Sequence, residues 1–165
     1  MAVRRSVGRT GHKRQVLEVL KQFRLIYGSV RSHFREVEAA CGVSGSQLWL
    51  LHEVSQAPGI GISELALRLS IHQTTCSQLV EKLVAHGYLS KARSTEDQRR
   101  VGLTLTRSAA GVLKAAPGPA EGILPEALMD LSADELATLA TALATVTGAL
   151  GRRDERAVGH PLADL

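Results

Sequence analysis

The sequence predicts a mainly α fold with a small β-wing, and three observations carry that expectation. Apolar residues recur at helical spacing through most of the 165 residues. Near residues 88–105 two extended, partly basic stretches are separated by a turn-rich segment, which reads as a single hairpin. Two long apolar seams flank this region.

The start of the chain is basic, and residues 1–12 are expected to form a flexible basic N-terminus. A long helix over 13–43 follows. From His12 to Ala40 no proline interrupts, and Val16, Leu20, Phe23, Tyr27, Val30, Phe34 and Val37 step by alternating four and three residues. One helix cannot bury such a seam by itself. It pairs with a second copy or packs on its own domain, and the pattern alone leaves both open.

Gly45 to Gln56 reads as a short helix carrying Leu48, Trp49, Leu51 and His52, closed by Ala57-Pro58-Gly59. Ile60-Gly61 is placed to add a short strand to the hairpin. Ser63 to Leu69 reads as the first half of a helix-turn-helix. The second half is expected to start at Ser70-Ile71-His72-Gln73, which has the spacing of a capping box. Within it Cys76, Leu79, Val80 and Leu83 form one apolar stripe, and 100° per residue puts Thr74, Ser77, Gln78 and Glu81 on the opposite face. Hydroxyl and amide groups near a helix N-terminus can reach base edges and phosphates in a major groove.

Gly87 after His86 is a helix stop, since glycine accepts the left-handed conformation that closes a helix. Tyr88 to Arg93 and Arg99 to Leu105 then have strand character around a turn at Ser94 to Gln98. The result is an arginine-tipped wing. Arg99 suits a minor groove, with Asp97 placed to orient it, while Lys91, Arg93 and Arg100 suit phosphates. Thr74, Thr75, Ser77 and Gln78, with Ser63 and Lys82, complete the candidate DNA-binding set. Taken singly, Thr, Ser and Gln occur on any solvated helix, and basic residues on a hairpin guard its edge. Helix followed by wing is what favours a nucleic-acid partner.

Beyond the wing, Ala115-Ala116-Pro117-Gly118-Pro119 must kink or break a connecting helix. Ser132-Ala133-Asp134-Glu135 has capping-box spacing and opens a second seam of Leu136, Leu139, Leu143, Val146 and Leu150. Segments 13–43 and 107–150 are therefore the expected dimerisation helices. Their expected interface is Val16, Leu20 and Phe23 with Leu136, Leu139, Leu143, Val146 and Leu150; the alternative is that the seams pack on each other within one chain. The charged, glycine-containing tail 151–165 is expected to be mobile.

The chain resembles the MarR family of bacterial winged-helix transcriptional regulators. The resemblance runs from Gln47-Leu48-Trp49-Leu50-Leu51 through Ile62-Ser63-Glu64-Leu65-Ala66 and Leu79-Val80-Glu81-Lys82-Leu83-Val84-Ala85-His86-Gly87-Tyr88-Leu89, and ends with Asp97-Gln98-Arg99-Arg100-Val101 and Leu105-Thr106. About half the chain carries it. It implies a winged helix-turn-helix domain over 44–106 plus N- and C-terminal dimerisation helices, with Asp97 and Arg99 at the wing tip. It also implies a sequence-specific DNA-binding regulator, a repressor acting as a homodimer on a pseudo-palindromic double-stranded operator. Half-sites would lie about 34–36 Å apart. This chain departs from the pattern at Gln78, where many relatives carry a basic residue, and at Gly111, a displaced glycine.

Regulators of this kind commonly answer a small aromatic or phenolic acid bound between the reader and the dimerisation helices. Tyr27, Arg31, His33, Trp49 and His52 are the candidate effector residues, a cation or imidazole pairing a carboxylate and an aromatic ring stacking on the ligand. Aromatics make up only 3% of the chain, so Tyr27 and Trp49 stand out, though both fit a core equally well.

Composition bounds the alternatives. The formal net charge of +4 favours an anionic partner; basic residues gather in 4–35 and in the wing, acidic ones in 121–135. No apolar run reaches the roughly 18 residues of a membrane span, and the chain is expected to be cytoplasmic. Catalytic signatures are missing: there is no glycine-rich phosphate loop, no His-Glu-x-x-His and no nucleophile elbow, so neither an enzyme nor a bound metal or cofactor is expected. Two rivals stay in view. One is a winged-helix module that binds protein rather than DNA. The other is a redox-sensing regulator using Cys41 or Cys76, although Cys76 falls on the apolar stripe, where a thiol is usually inert.

Overall fold

A computed structural model of the chain describes residues 3–93 and 101–164. The first helix, α1 (Val3–Cys41), begins within the segment expected to be a flexible N-terminus. Its apolar seam is divided. Val30 and Val37 are buried in the chain's own core, whereas Val16, Leu20 and Phe23 are all more than 40% exposed. One stripe therefore serves two purposes along its length, and its first half faces no covering element among the described residues.

Helix α2 (Gly45–Gln56) is opened by a capping box not anticipated from the sequence: Ser44 Oγ accepts from the Gln47 amide and the Gln47 side chain accepts from the Ser44 amide, at 3.3 and 3.0 Å. Two helices follow, α3 (Ile62–Arg68) and α4 (Gln73–Ala85), packed across each other as a helix-turn-helix. The core sits between them and α2, where Leu48, Leu51, Val54, Leu65, Cys76, Leu79, Val80 and Leu83 are buried with Leu103 from the wing.

The capping box expected at Ser70 does not form. Ser70 lies in the left-handed region (φ 53°), and the N-cap of α4 is His72, whose side chain makes no capping hydrogen bond. A serine two positions upstream of the cap cannot reach the amides that a box would satisfy. The other end of α4 closes as expected. Gly87 has φ +73°, its amide donates to the Val84 carbonyl and the Tyr88 amide to that of Leu83, the paired bonds of a Schellman motif.

Strands β1 (Leu89–Arg93) and β2 (Val101–Leu105) pair antiparallel from Leu89↔Leu105 to Arg93↔Val101. Ile60 adds a bridge to Leu103, the short third element expected there. Helix α5 (Arg107–Ala115) stops before the prolines, which break the path rather than bend it; a short α6 (Ile123–Met129) then packs against α1.

Helix α7 (Ala133–Ala149) starts with the expected capping box: Ser132 Oγ and the Glu135 amide lie 3.4 Å apart, and the Ser132 amide donates to Glu135 at 2.9 Å. No residue of α7 is buried among the described residues. The tail is the clearest correction. Expected to be mobile, it instead forms two short 3-10 turns, Glu155–Gly159 and Leu162–Asp164, with Gly159 and Pro161 buried. Small, apolar and proline residues interspersed among its charges give it something to bury.

Candidate nucleic-acid interface and the adjoining cleft

The apolar stripe of α4 fixes its rotation. With Cys76, Leu79, Val80 and Leu83 inward, Thr74, Gln78, Glu81 and Lys82 are exposed and Ser77 is half-buried. Thr75 departs from the sequence expectation. It is only 7% exposed, because 100° per residue places it beside Cys76 and Leu79 on the inward side, and it is withdrawn from the face its neighbours present. Ser63 is exposed on the first turn of α3. Arg68, at the end of α3, is held 2.8 Å from Glu64 and 3.8 Å from Glu53, so it braces α3 against α2.

The wing is anchored to this helix at two points. Thr106 Oγ1 donates to the Gly87 carbonyl at 2.7 Å, joining the end of β2 to the stop of α4. Lys91 on β1 is ion-paired with Glu81 on the exposed face of α4. The lysine expected to bind phosphate is therefore already engaged by a carboxylate, and the helix and wing share one electrostatic surface. Asp97, Arg99 and Arg100 lie outside the described residues, as does the side chain of Arg93.

The expected effector residues divide into three groups. Tyr27, 68% exposed, and Arg31 line a cleft of about 630 Å³ together with Phe34, Arg35, Leu162 and Ala163. His33 and Trp49 lie beside it on a void of about 30 Å³, too small for an organic ligand. His33 is buried with its ring 5.8 Å from that of Phe34, and the Trp49 indole donates to Glu53 at 3.3 Å. His52 lines neither space; its Nε2 is 3.5 Å from Glu121. Phe34, Leu162 and Ala163 were not anticipated as cleft residues. The last two are more than a hundred residues from α1 in sequence, a separation no local pattern reports.

Cys76 Sγ is buried 3.7 Å from the Ile62 carbonyl, and burial pushes its thiol up to about 11; burial also raises Cys41. Among the described residues no group of three or more His, Cys, Asp or Glu is arranged to hold a metal ion, and no helix is long and apolar enough to cross a membrane.

Residues 42–100 match the family model described as the MarR family. Among solved structures, the fold is similar to that of a MarR family transcription regulator at 20% identity, covering 84% of this chain and 92% of that one, with a TM-score of 0.55. It is also similar to a cysteine-to-serine mutant of MarR from E. coli complexed with operator DNA, at 24% identity over 78% of this chain and 95% of that one, TM-score 0.52. A MepR-like protein complexed with pseudoligands matches at 15% identity, over 82% of this chain and 92% of that one, TM-score 0.53. At these identities the likeness is one of fold. No curated protein matches the chain.

Proposed function

We propose, from the match of residues 42–100 to the MarR family model, that the chain is a sequence-specific DNA-binding transcriptional regulator, working as a homodimer and released from its operator by a small aromatic acid. The observation that carries this reading is the outward face of α4. Thr74, Ser77 and Gln78 project from its first two turns with a buried stripe behind them, next to a wing tied to the same helix by Lys91. In a DNA complex Thr74 and Gln78 reach base edges, Ser77, Ser63 and Lys82 reach phosphates, and Arg93, Arg99 and Arg100 extend the footprint along the wing, with Asp97 orienting Arg99. A fold of this kind bound to operator DNA is the E. coli protein cited above.

The dimer is supported by apolar surface left open on one chain. Val16, Leu20 and Phe23 on α1 and Leu136, Leu143, Val146 and Leu150 on and after α7 are each about 40–55% exposed, and Leu139 lies among them half-buried. A second copy laid on both seams removes that surface from water and sets the spacing of two recognition helices for a pseudo-palindromic site. The effector reading rests on the cleft of about 630 Å³, a volume suited to a small organic ligand, with Arg31 and Arg35 to pair a carboxylate and Tyr27 and Phe34 to stack on a ring. Repression rather than activation comes with the family. Redox sensing through Cys76 finds no support in a buried thiol raised to about 11.

The test is an electrophoretic shift with duplex DNA from directly upstream of the chain's own coding sequence, with and without a panel of aromatic acids. Retardation that is relieved by a compound, and lost sensitivity to it in Arg31→Ala, supports the reading. Absence of any shift leaves the protein-interaction module as the better account.

A further inference from the structure

The segment after α7 is seated at three points. Gly159 is buried, and its carbonyl accepts a 3.0 Å hydrogen bond from the amide of His72, the N-cap of α4. Pro161 is buried beside it. Asp164 accepts a 2.8 Å bond from Ser46 Oγ, which itself lies 2.9 Å from Ser44 Oγ at the start of α2. Between these anchors Leu162 and Ala163 form part of the wall of the cleft. The backbones meet closely here: a Cβ at Gly159 would fall 1.7 Å from the His72 ring, so any larger residue must push that side chain aside.

These contacts meet a need that α4 has. Its N-cap makes no side-chain hydrogen bond, and the N-cap's own amide, which a capping box would give to a side chain three residues on, is taken from outside by the tail carbonyl. We infer that residues 155–164 are a strap joining the cleft to the N-cap of the recognition helix, such that an occupant displacing Leu162 and Ala163 draws Gly159 off His72 and loosens the helix start. The strap's regulatory meaning rests on the reading that α4 faces DNA and the cleft takes a ligand. Only His160, Pro161 and Leu162 separate Gly159 from Ala163. Proline's fixed φ and the 3-10 turn at Leu162–Asp164 leave little slack, so a displacement at one end passes to the other.

Amide hydrogen exchange on the full chain tests this, with Gly159→Val breaking the latch, Ser46→Ala releasing the far end and Ala163→Leu standing in for an occupant of the cleft. The His72 amide is expected to exchange about fivefold faster or more in each variant, the effect of losing one ordinary hydrogen bond. Amides of Val80 and Leu83 are expected to keep their wild-type rates, which separates release of the strap from unfolding. Wild-type exchange at His72 in Gly159→Val overturns the latch, and wild-type exchange in Ala163→Leu overturns its link to the cleft. If Gly159→Val unfolds, truncation after Arg153 asks the same question with the same expected and contrary results. The readout needs neither DNA nor effector. A chain that shows these rates but never binds DNA removes the DNA reading and leaves the strap.

Discussion

Lys91 of the first wing strand is ion-paired with Glu81 of the recognition helix, so the wing's own cation neutralises a carboxylate on the face that would meet DNA. The pair sets a definite expectation. Glu81→Gln removes a negative charge from that face and releases Lys91 for a phosphate. DNA affinity should rise severalfold at moderate salt, and the slope of log affinity against log salt should steepen by about two phosphate contacts, one per protomer of the dimer, roughly 1.8. A titration followed by fluorescence anisotropy reads both quantities; unchanged affinity and slope would mean that neither residue faces DNA.

Arg99→Ala should weaken DNA binding at least tenfold while leaving the melting temperature within about a degree of wild type, since a minor-groove arginine contributes through the bound state and surface substitutions cost little stability. Parallel anisotropy and thermal melts check this. A variant that binds as tightly as wild type would remove the wing tip from the interface.

Leu143→Glu places a charge on the open seam of α7, where Leu143 is 39% exposed in one chain. Burying an unpaired charge in a dimer interface costs several kcal/mol, so sedimentation should show monomers and DNA binding should fall with dimerisation. If the variant sediments as a monomer but still binds operator DNA as well as wild type, the readers act singly and the dimer has another role.

The Cys76 thiol has a folded-state pKa raised from 9.0 to about 11 by burial. The folded state thus holds this proton more tightly than the unfolded chain does, and the resulting stability is present below about pH 9 and lost as pH rises through about 11. Melting temperature should decline across that window and decline less steeply in Cys76→Ala. At pH 7.5 Cys76 is protonated as well as buried, so peroxide and iodoacetamide should leave the residue and DNA binding untouched. Rapid modification of Cys76 in the native protein would reopen redox sensing.

Local pattern was enough to read the helices and wing from the sequence, because amphipathic stripes, Gly87 and the Ser132–Glu135 box act over a few residues. It failed where distant chain segments decide. The Ser70 box is absent because the helix starts two residues later, at a cap, His72, whose amide is held by the tail backbone nearly ninety residues on. Thr75 is buried for a simpler reason: at the edge of the stripe, packing against neighbours rather than side-chain polarity decides which way a threonine turns. The seam of α1 reads as continuous, yet its second half is consumed by the chain's own core at Val30 and Val37, a division visible only once α2 and α6 are in place.

The most direct measurement of the central claim is the affinity of the full chain for duplex DNA from directly upstream of its own coding sequence, across a salt series and against a scrambled duplex of equal length. With two readers and two wings making about six or more phosphate contacts, log affinity should fall linearly with log salt with a slope near −5 or steeper. The upstream duplex should bind at least a hundredfold more tightly than the scrambled one at the highest salt. Equal affinity for both duplexes, or binding insensitive to salt, would contradict the account of this winged helix as a sequence-specific DNA reader.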